Sequence, residues 1–240
     1  MICRILPFLI LFLFSFSSYD SANKSNKPSE LKRVASNSTS SLEYRCKSFY
    51  TTLDQNHFSL PKFDVFLAAF QGYEQLKLQG QIVNDILTVI DFSLSSKEER
   101  LWVIDMSCQQ VLLQSLVAHG RNSGLEYATN FSNENESFKS SLGFYLTGEM
   151  YQGKHGTSLR LDGLEYGINH KARERAVVIH GADYVSKKIA QTQGYVGRSL
   201  GCPAVPYEVH QQLIQLIKNK SCLFIYHPSK HYLTNSKLLS

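Results

Sequence analysis

Several features are scarce in this 240-residue chain. Only 19% of residues are charged, against 43% hydrophobic, so the balance is globular and excludes wholesale disorder. The net charge of +5 comes without a dense Lys/Arg stripe, which argues against a dedicated nucleic-acid binder. Five cysteines are too few for a disulfide scaffold at this length, and no C-x-x-C occurs. Eight scattered histidines give no H-E-x-x-H, so neither a zinc peptidase nor structural zinc is expected, and no metal or organic cofactor is implied. No internal repeat is visible. Beyond the N-terminus, no run is long and apolar enough to span a bilayer.

What is present begins with Arg4 and the apolar run Ile5 to Phe16. As a helix this run would be roughly 18 Å long, short of the about 30 Å of a bilayer core. With Ser15 near its end and Ser17 and Ser18 after it, residues 1–18 read as a signal peptide, an uncleaved anchor being the alternative. Its removal takes Cys3 and Arg4 with it and leaves a charge of +4. Residues 19–42, rich in Ser, Asn and Lys, read as a flexible linker.

A helical appendage is expected over 43–85, centred on Pro61 to Gln79, where Phe63, Phe66, Leu67, Phe70 and Tyr73 share a face and Gly80 supplies a stop. From Ile86 the pattern turns to short β-prone runs. These are Ile86 to Phe92, Leu101 to Met106, Val111 to Ala118, Leu142 to Thr147, Ala176 to His180 and Cys222 to Tyr226. Polar and Gly-rich stretches, Gly120 to Asn135 and Gly148 to Gly156, read as loops. One later helix is expected over Tyr207 to Asn219, with an apolar stripe of Val209, Leu213, Leu216 and Ile217. The result is a mainly β domain over 86–228 with one or two packed helices and a tail at 229–240.

The chemistry concentrates in two places. His180-Gly181 ends the Val177-Val-Ile179 strand, and Ser199-Leu-Gly-Cys202-Pro203 forms a Gly-rich turn. An imidazole can deprotonate a thiol, and turn N–H groups can receive a developing oxyanion. Spacing alone equally allows a buried cysteine and a strand-end histidine with ordinary hydrogen bonds.

These residues resemble the signature of murein L,D-transpeptidase catalytic domains, in which a His-Gly after a strand precedes a Ser/Thr-x-Gly-Cys turn. Val117-Ala-His-Gly-Arg-Asn-Ser-Gly124, Ser140-Ser-Leu-Gly-Phe144, Ser158-Leu-Arg-Leu-Asp-Gly-Leu164 and Arg175-Ala-Val-Val-Ile-His-Gly-Ala182 add to the likeness, which covers about Ile86 to Pro228. The resemblance implies a β-sandwich catalytic domain and Cys202 as nucleophile. Cys202 would attack the third residue of a peptidoglycan stem tetrapeptide, release D-Ala and form a thioester that a neighbouring amine resolves into a 3→3 cross-link. His180 would be its base, oriented by a backbone carbonyl. Ser199 would shape the turn, and N–H groups around Gly201 and Cys202 would be the oxyanion donors.

Two departures from the family pattern stand out. Leu200 replaces the histidine of the usual Ser-His-Gly-Cys, and Ala204 stands where most members carry Arg. The segment between His180 and Cys202 is also long. Arg198 could substitute as a carboxylate binder, or be a solvated loop charge. Further substrate-facing candidates are Gly181, His119, Arg121, Asn122, His155 and Arg160. For each of the last five, ordinary loop hydrogen bonding or a structural ion pair (Arg160 with Asp162) is the competing reading, and Tyr145 and Tyr151 read as packing residues.

Other enzyme classes fit less well. Gly197-Arg-Ser-Leu-Gly201 matches G-x-S-x-G but lacks the flanking strand and helix of a nucleophile elbow. Ser59-Leu-Pro-Lys62 matches S-x-x-K without any K-T-G. A hydrolytic L,D-carboxypeptidase using the same thioester, or a wall-binding module on the same fold, remain as alternatives. The chain is expected in the periplasm or cell envelope, as a monomer whose partners are stem peptides. Nucleic acid is not expected as a partner, nor is membrane beyond the export signal. Cys202 is expected as a free thiol and Cys222 as a buried one, while Cys46 and Cys108 could pair or stay reduced.

Overall fold

Ile86-Leu-Thr-Val-Ile-Asp91 is β-branched and apolar enough to form a strand buried on both faces, and it does so as β1 (Ile86–Asp91), with all six residues buried. It sits in the middle of the sheet. The computed structural model describes residues 29–154 and 156–240. In chain order the elements are α1 (Ser29–Thr52), α2 (Phe63–Leu78), β1, β2 (Leu101–Asp105), β3 (Gln110–Ser115), β4 (Gly143–Gly153), β5 (Gly156–Gly163), β6 (Val178–Gly181), α3 (Lys187–Gln193), β7 (Ala204–Val205), α4 (Tyr207–Ile217), β8 (Cys222–Tyr226) and α5 (Lys230–Asn235). Hydrogen bonding runs through all eight strands in the order β3-β2-β1-β8-β4-β5-β6-β7. The mainly β expectation therefore holds, as one mixed sheet.

β1 pairs antiparallel with β2 and parallel with β8, with Val89 opposite Phe224. β8 in turn pairs antiparallel with β4, putting Phe144 opposite Phe224, and the two rings stack at 4.2 Å. Helix α2 covers this face: a Cβ on Gly72 would lie 2.1 Å from the Phe144 ring. Strand alternation sends Tyr145 and Thr147 to the other side. There Thr147 Oγ1 donates to the Ile217 carbonyl of α4 (2.7 Å). The sheet thus lies between two helices, which explains why its central strands lack a polar face.

The compact unit runs from Arg45 to Ser240, so α2 and the C-terminal segment belong to it. Tyr232 of α5 is buried, and Ser236 and Tyr232 donate hydroxyl hydrogen bonds to the buried Glu165 carboxylate. The described residues before Arg45, from Ser29, belong to α1 and lie outside that unit. The proposed leader, 1–18, lies outside the described residues.

Three expectations need correction. The linker ends earlier than expected, since Ser29–Leu42 is helical. Ser and Asn lower helix propensity by well under about 1 kcal/mol each without breaking a helix, and neither Gly nor Pro occurs between Pro28 and Pro61. The stretch from Gly148 to Gly156 is not a loop: β4 continues to Gly153 and turns into β5. Its outer half is largely exposed, so no apolar alternation marks it. The buried stripe of α4 is His210, Leu213, Ile214 and Ile217, rotated from the expected one.

Gly72 yields a test. Gly→Ala inside an exposed helix gains about 1 kcal/mol of propensity. Here the new methyl meets a ring already stacked on Phe224, and overpacking of this kind costs about 1–3 kcal/mol. Gly72→Ala should therefore lower stability by about 1 kcal/mol, read as an earlier urea midpoint at unchanged slope. A stabilised variant would show that α2 does not press on Phe144.

Candidate active site

β6 is only four residues long, and its pairing decides the site. It runs antiparallel to β5, with Ser158 opposite His180, and parallel to β7, with His180 opposite Ala204. That pairing brings Cys202, two residues before Ala204, to the end of the strand that carries His180. Both side chains line one cavity of about 480 Å³.

The intervening segment is folded rather than loose. Ser186 caps α3 by accepting from the Ile189 N–H (3.2 Å), and Gly194 ends it at φ +79°. Val185, Ala190 and Val196 pack with Leu116, Ala118 and Ala204 in a small apolar cluster. Gly197 passes so close to Tyr184 that a Cβ there would lie 2.5 Å from it.

The turn from Ser199 to Cys202 is held by Ser199. Its Oγ donates to the Cys202 carbonyl (2.6 Å) and accepts from the Gly201 N–H (3.0 Å). The Gly201 N–H is therefore committed inside the turn, which corrects its assignment as an oxyanion donor. Gly201 is required for another reason: its φ is +126°, and a Cβ would lie 2.9 Å from the Lys139 carbonyl. Ser199 also joins the neighbouring segment, donating its N–H to the His119 carbonyl (3.0 Å) and accepting from the Arg121 N–H (2.8 Å).

Cys202 is a free thiol, half-buried, whose Sγ donates to the Ala176 carbonyl at 3.7 Å. Burial raises its pKa; the Val178 N–H and the Arg175 charge oppose that. Ala176 holds the unusual φ of +51°, the left-handed region that a non-glycine residue occupies at a cost of about 1–3 kcal/mol. His180 Nδ1 lies 2.9 Å from the Gly181 carbonyl. A carbonyl only accepts, so Nδ1 carries a proton and donates.

The substrate-facing candidates divide. Arg198 lines the cavity, is exposed, and donates to the Arg121 and Gly124 carbonyls (both 3.3 Å). Arg121 stacks its guanidinium on Phe138 at 4.2 Å, and Asn122 Nδ2 donates to the Ser137 carbonyl (2.9 Å), so both tie loops together. Arg160 pairs with Glu149 (2.9 Å) and stacks on Tyr151 at 4.6 Å, while Asp162 pairs with Arg173. Gly181 faces α4: a Cβ there would lie 2.5 Å from Tyr207. None of Arg121, Asn122, Arg160 or Gly181 lines the cavity. His155 lies outside the described residues.

His119 is corrected most clearly. It is fully buried, with Nδ1 2.8 Å from Arg100 Nη2 and its ring edge-on to Phe92. Because Arg100 can only donate, Nδ1 accepts and Nε2 bears the proton. Burial and the Arg100 charge hold its pKa down at about 4.

Sequence reasoning missed Arg175, Tyr184, Tyr151 and Lys154, all on the cavity wall. Arg175 opens a quoted motif block, but no spacing rule marks it. The other three sit in segments read as loop or packing.

Two tests follow from this arrangement. Ser199→Ala leaves the Gly201 N–H without its acceptor, so stability should fall by about 1–3 kcal/mol in denaturant melts; an unchanged midpoint would mean the turn holds itself. Unfolded His119 binds a proton near pH 6.5 that the folded protein refuses until about pH 4. Stability should therefore fall as pH drops through that window, by roughly 2–3 kcal/mol. His119→Gln should flatten the slope, and an equally steep slope in that variant would assign it to other groups.

The whole arrangement has relatives. Residues 59–226 match the family model described as the L,D-transpeptidase catalytic domain. The match begins upstream of Ile86 and takes in α2. No curated protein matches the sequence. Among solved structures, an L,D-transpeptidase from Mycobacterium smegmatis is 13% identical, with 60% of this chain and 59% of that one covered and a TM-score of 0.37. An L,D-transpeptidase from Enterococcus faecium is 12% identical over 60% and 50%, with a TM-score of 0.38. One from Stackebrandtia nassauensis is 9% identical over 69% and 68%, with a TM-score of 0.36. This chain spans 59% and 50% of the length of the first two. With its family model matched from the helix before the sheet to the end of β8, the chain belongs to the L,D-transpeptidase catalytic-domain family.

Proposed function

We propose that this chain is an exported cysteine acyltransferase that acts on peptidoglycan stem tetrapeptides and forms 3→3 cross-links. The observation that carries the reading is the convergence of Cys202 and His180 on one cavity, with the His180 tautomer fixed by the Gly181 carbonyl. The thiol proton passes to His180 Nε2 as sulfur attacks the carbonyl of the third stem residue. The resulting oxyanion collapses, the bond to D-Ala breaks, and the leaving amine takes the proton from His180. A thioester remains on Cys202. The amine of a neighbouring stem then attacks it, loses a proton to His180, and restores the thiol.

The cavity chemistry supports an anionic donor. Lys154, Arg175 and Arg198 line it, and among the described residues no carboxylate does. Stem peptides carry free carboxylates, which exposed Arg198 and Lys154 suit by charge. Leu200, 59% exposed at the mouth, contributes an apolar surface where the family pattern has an imidazole. His180 is then the one imidazole on the described wall, serving both half-reactions. Export rests on the leader-like residues 1–18. No helix among the described residues is long and apolar enough to cross a membrane.

Incubation with disaccharide tetrapeptides, followed by mass spectrometry, tests the reading. Cross-linked dimers with loss of D-Ala are expected, and Cys202→Ala should abolish both product and the covalent carbapenem adduct. Tripeptides alone would mean hydrolysis of the same thioester. Neither product nor adduct from the wild-type chain would leave a wall-binding module instead.

A further inference from the structure

Arg175 lies in the segment leading into β6, with its guanidinium half-buried on the cavity wall. Nη1 donates to the Ser132 carbonyl (2.8 Å) and Ser141 Oγ (2.5 Å). Nη2 donates to the Lys139 carbonyl (2.7 Å) and Ser137 Oγ (3.3 Å). All four acceptors are neutral, and none of the ion pairs among the described residues includes Arg175. Its charge is therefore fixed in place and not cancelled by a bonded carboxylate.

The loop it holds touches the nucleophile turn. The Lys139 carbonyl and Arg175 Nη2 lie 2.9 and 3.4 Å from where a Gly201 Cβ would be. Ser140 Oγ donates to the Gly201 carbonyl (3.1 Å). The other ionisable groups on this wall are His180 from β6, Tyr184 from the segment after it, Tyr151 and Lys154 from the end of β4, and Arg198. Lys154 and Arg198 are exposed, where water and salt weaken a charge. Arg175 is the cation held away from that screening.

We propose that Arg175 is a positioning residue for Cys202: its immobilised charge favours the thiolate, and its four hydrogen bonds brace the 132–141 loop against the nucleophile turn. The proposal rests on the reading of Cys202 as the nucleophile.

The test follows the rate of Cys202 alkylation by iodoacetamide against pH, read per cysteine by peptide mass spectrometry on the full chain. Arg175→Gln should move the midpoint up by about one pH unit, making alkylation about tenfold slower near neutrality. Arg175→Lys keeps the charge but cannot reproduce the four-bond fork. It should restore at least half of that shift. No shift in Arg175→Gln, or equal shifts in both variants, overturns the proposal. If Arg175→Gln does not fold by circular dichroism, Arg175→Lys decides alone. A midpoint within about half a unit of wild type supports the proposal, and a larger upward shift refutes it. Alkylation needs no peptidoglycan, so a chain that makes no cross-links yet shows this dependence would sink the acyltransferase reading and leave the role of Arg175 standing.

Discussion

Everything at the site depends on the parallel pairing of two very short strands. β6 and β7 share two register pairs, His180 with Ala204 and Gly181 with Val205. More than twenty residues separate His180 from Cys202, and loop closure on that scale carries an entropic cost that two ladder pairs alone would not offset. The offset comes from the inserted segment itself. Its capped helix α3 and the apolar cluster of Val185, Ala190 and Val196 bury against Leu116, Ala118 and Ala204. Bridges from Ala118 to Ala204 and from Gly120 to Ser199 then fix the far side of the turn. Cys202 and His180 are thus brought to one cavity by packing some distance from it.

Two histidines illustrate how environment divides roles. His119 and His180 are both almost fully buried, and both use Nδ1 for a hydrogen bond. Opposite His119 stands a guanidinium, which forces Nδ1 to accept and, with burial, keeps the ring neutral. Opposite His180 stands a carbonyl, which forces Nδ1 to donate. The side chain of His119 is structural, while its carbonyl receives the Ser199 N–H. The residue contributes to the turn by its backbone and to the core by its ring.

Much of this was legible in the sequence. The strands β1, β2 and β8 are dense in Val, Ile and Leu and fall close to their expected positions, because burial on both faces leaves a continuous apolar run. The His180–Cys202 pair was legible through its motif. The outer half of β4 was not, because an exposed strand such as Gly148 to Gly153 is held by its ladder with β5 rather than by its own side chains. Arg175 was not legible either. Its partners are carbonyls and serines spread over 132–141, contacts that tertiary folding creates and local spacing does not encode. His119, Arg121 and Asn122 misled for the converse reason: polar residues in a Gly-flanked loop look available for a ligand until the loop's own hydrogen bonds are counted.

The two departures from the family pattern have one physical origin each. Ala204 is fully buried in β7, beneath the cluster that holds α3. A guanidinium there would have to displace Val196 or Val185 and find partners among apolar neighbours, at a cost of several kcal/mol. The inserted segment fills that space, and the cation held against the turn, Arg175, is bonded instead to four neutral acceptors of the 132–141 loop. Leu200 lies at the cavity mouth, more than half exposed, where solvent would weaken any charge placed on it. Its replacement of an imidazole therefore changes the surface of the cavity, whose described imidazole is the buried His180.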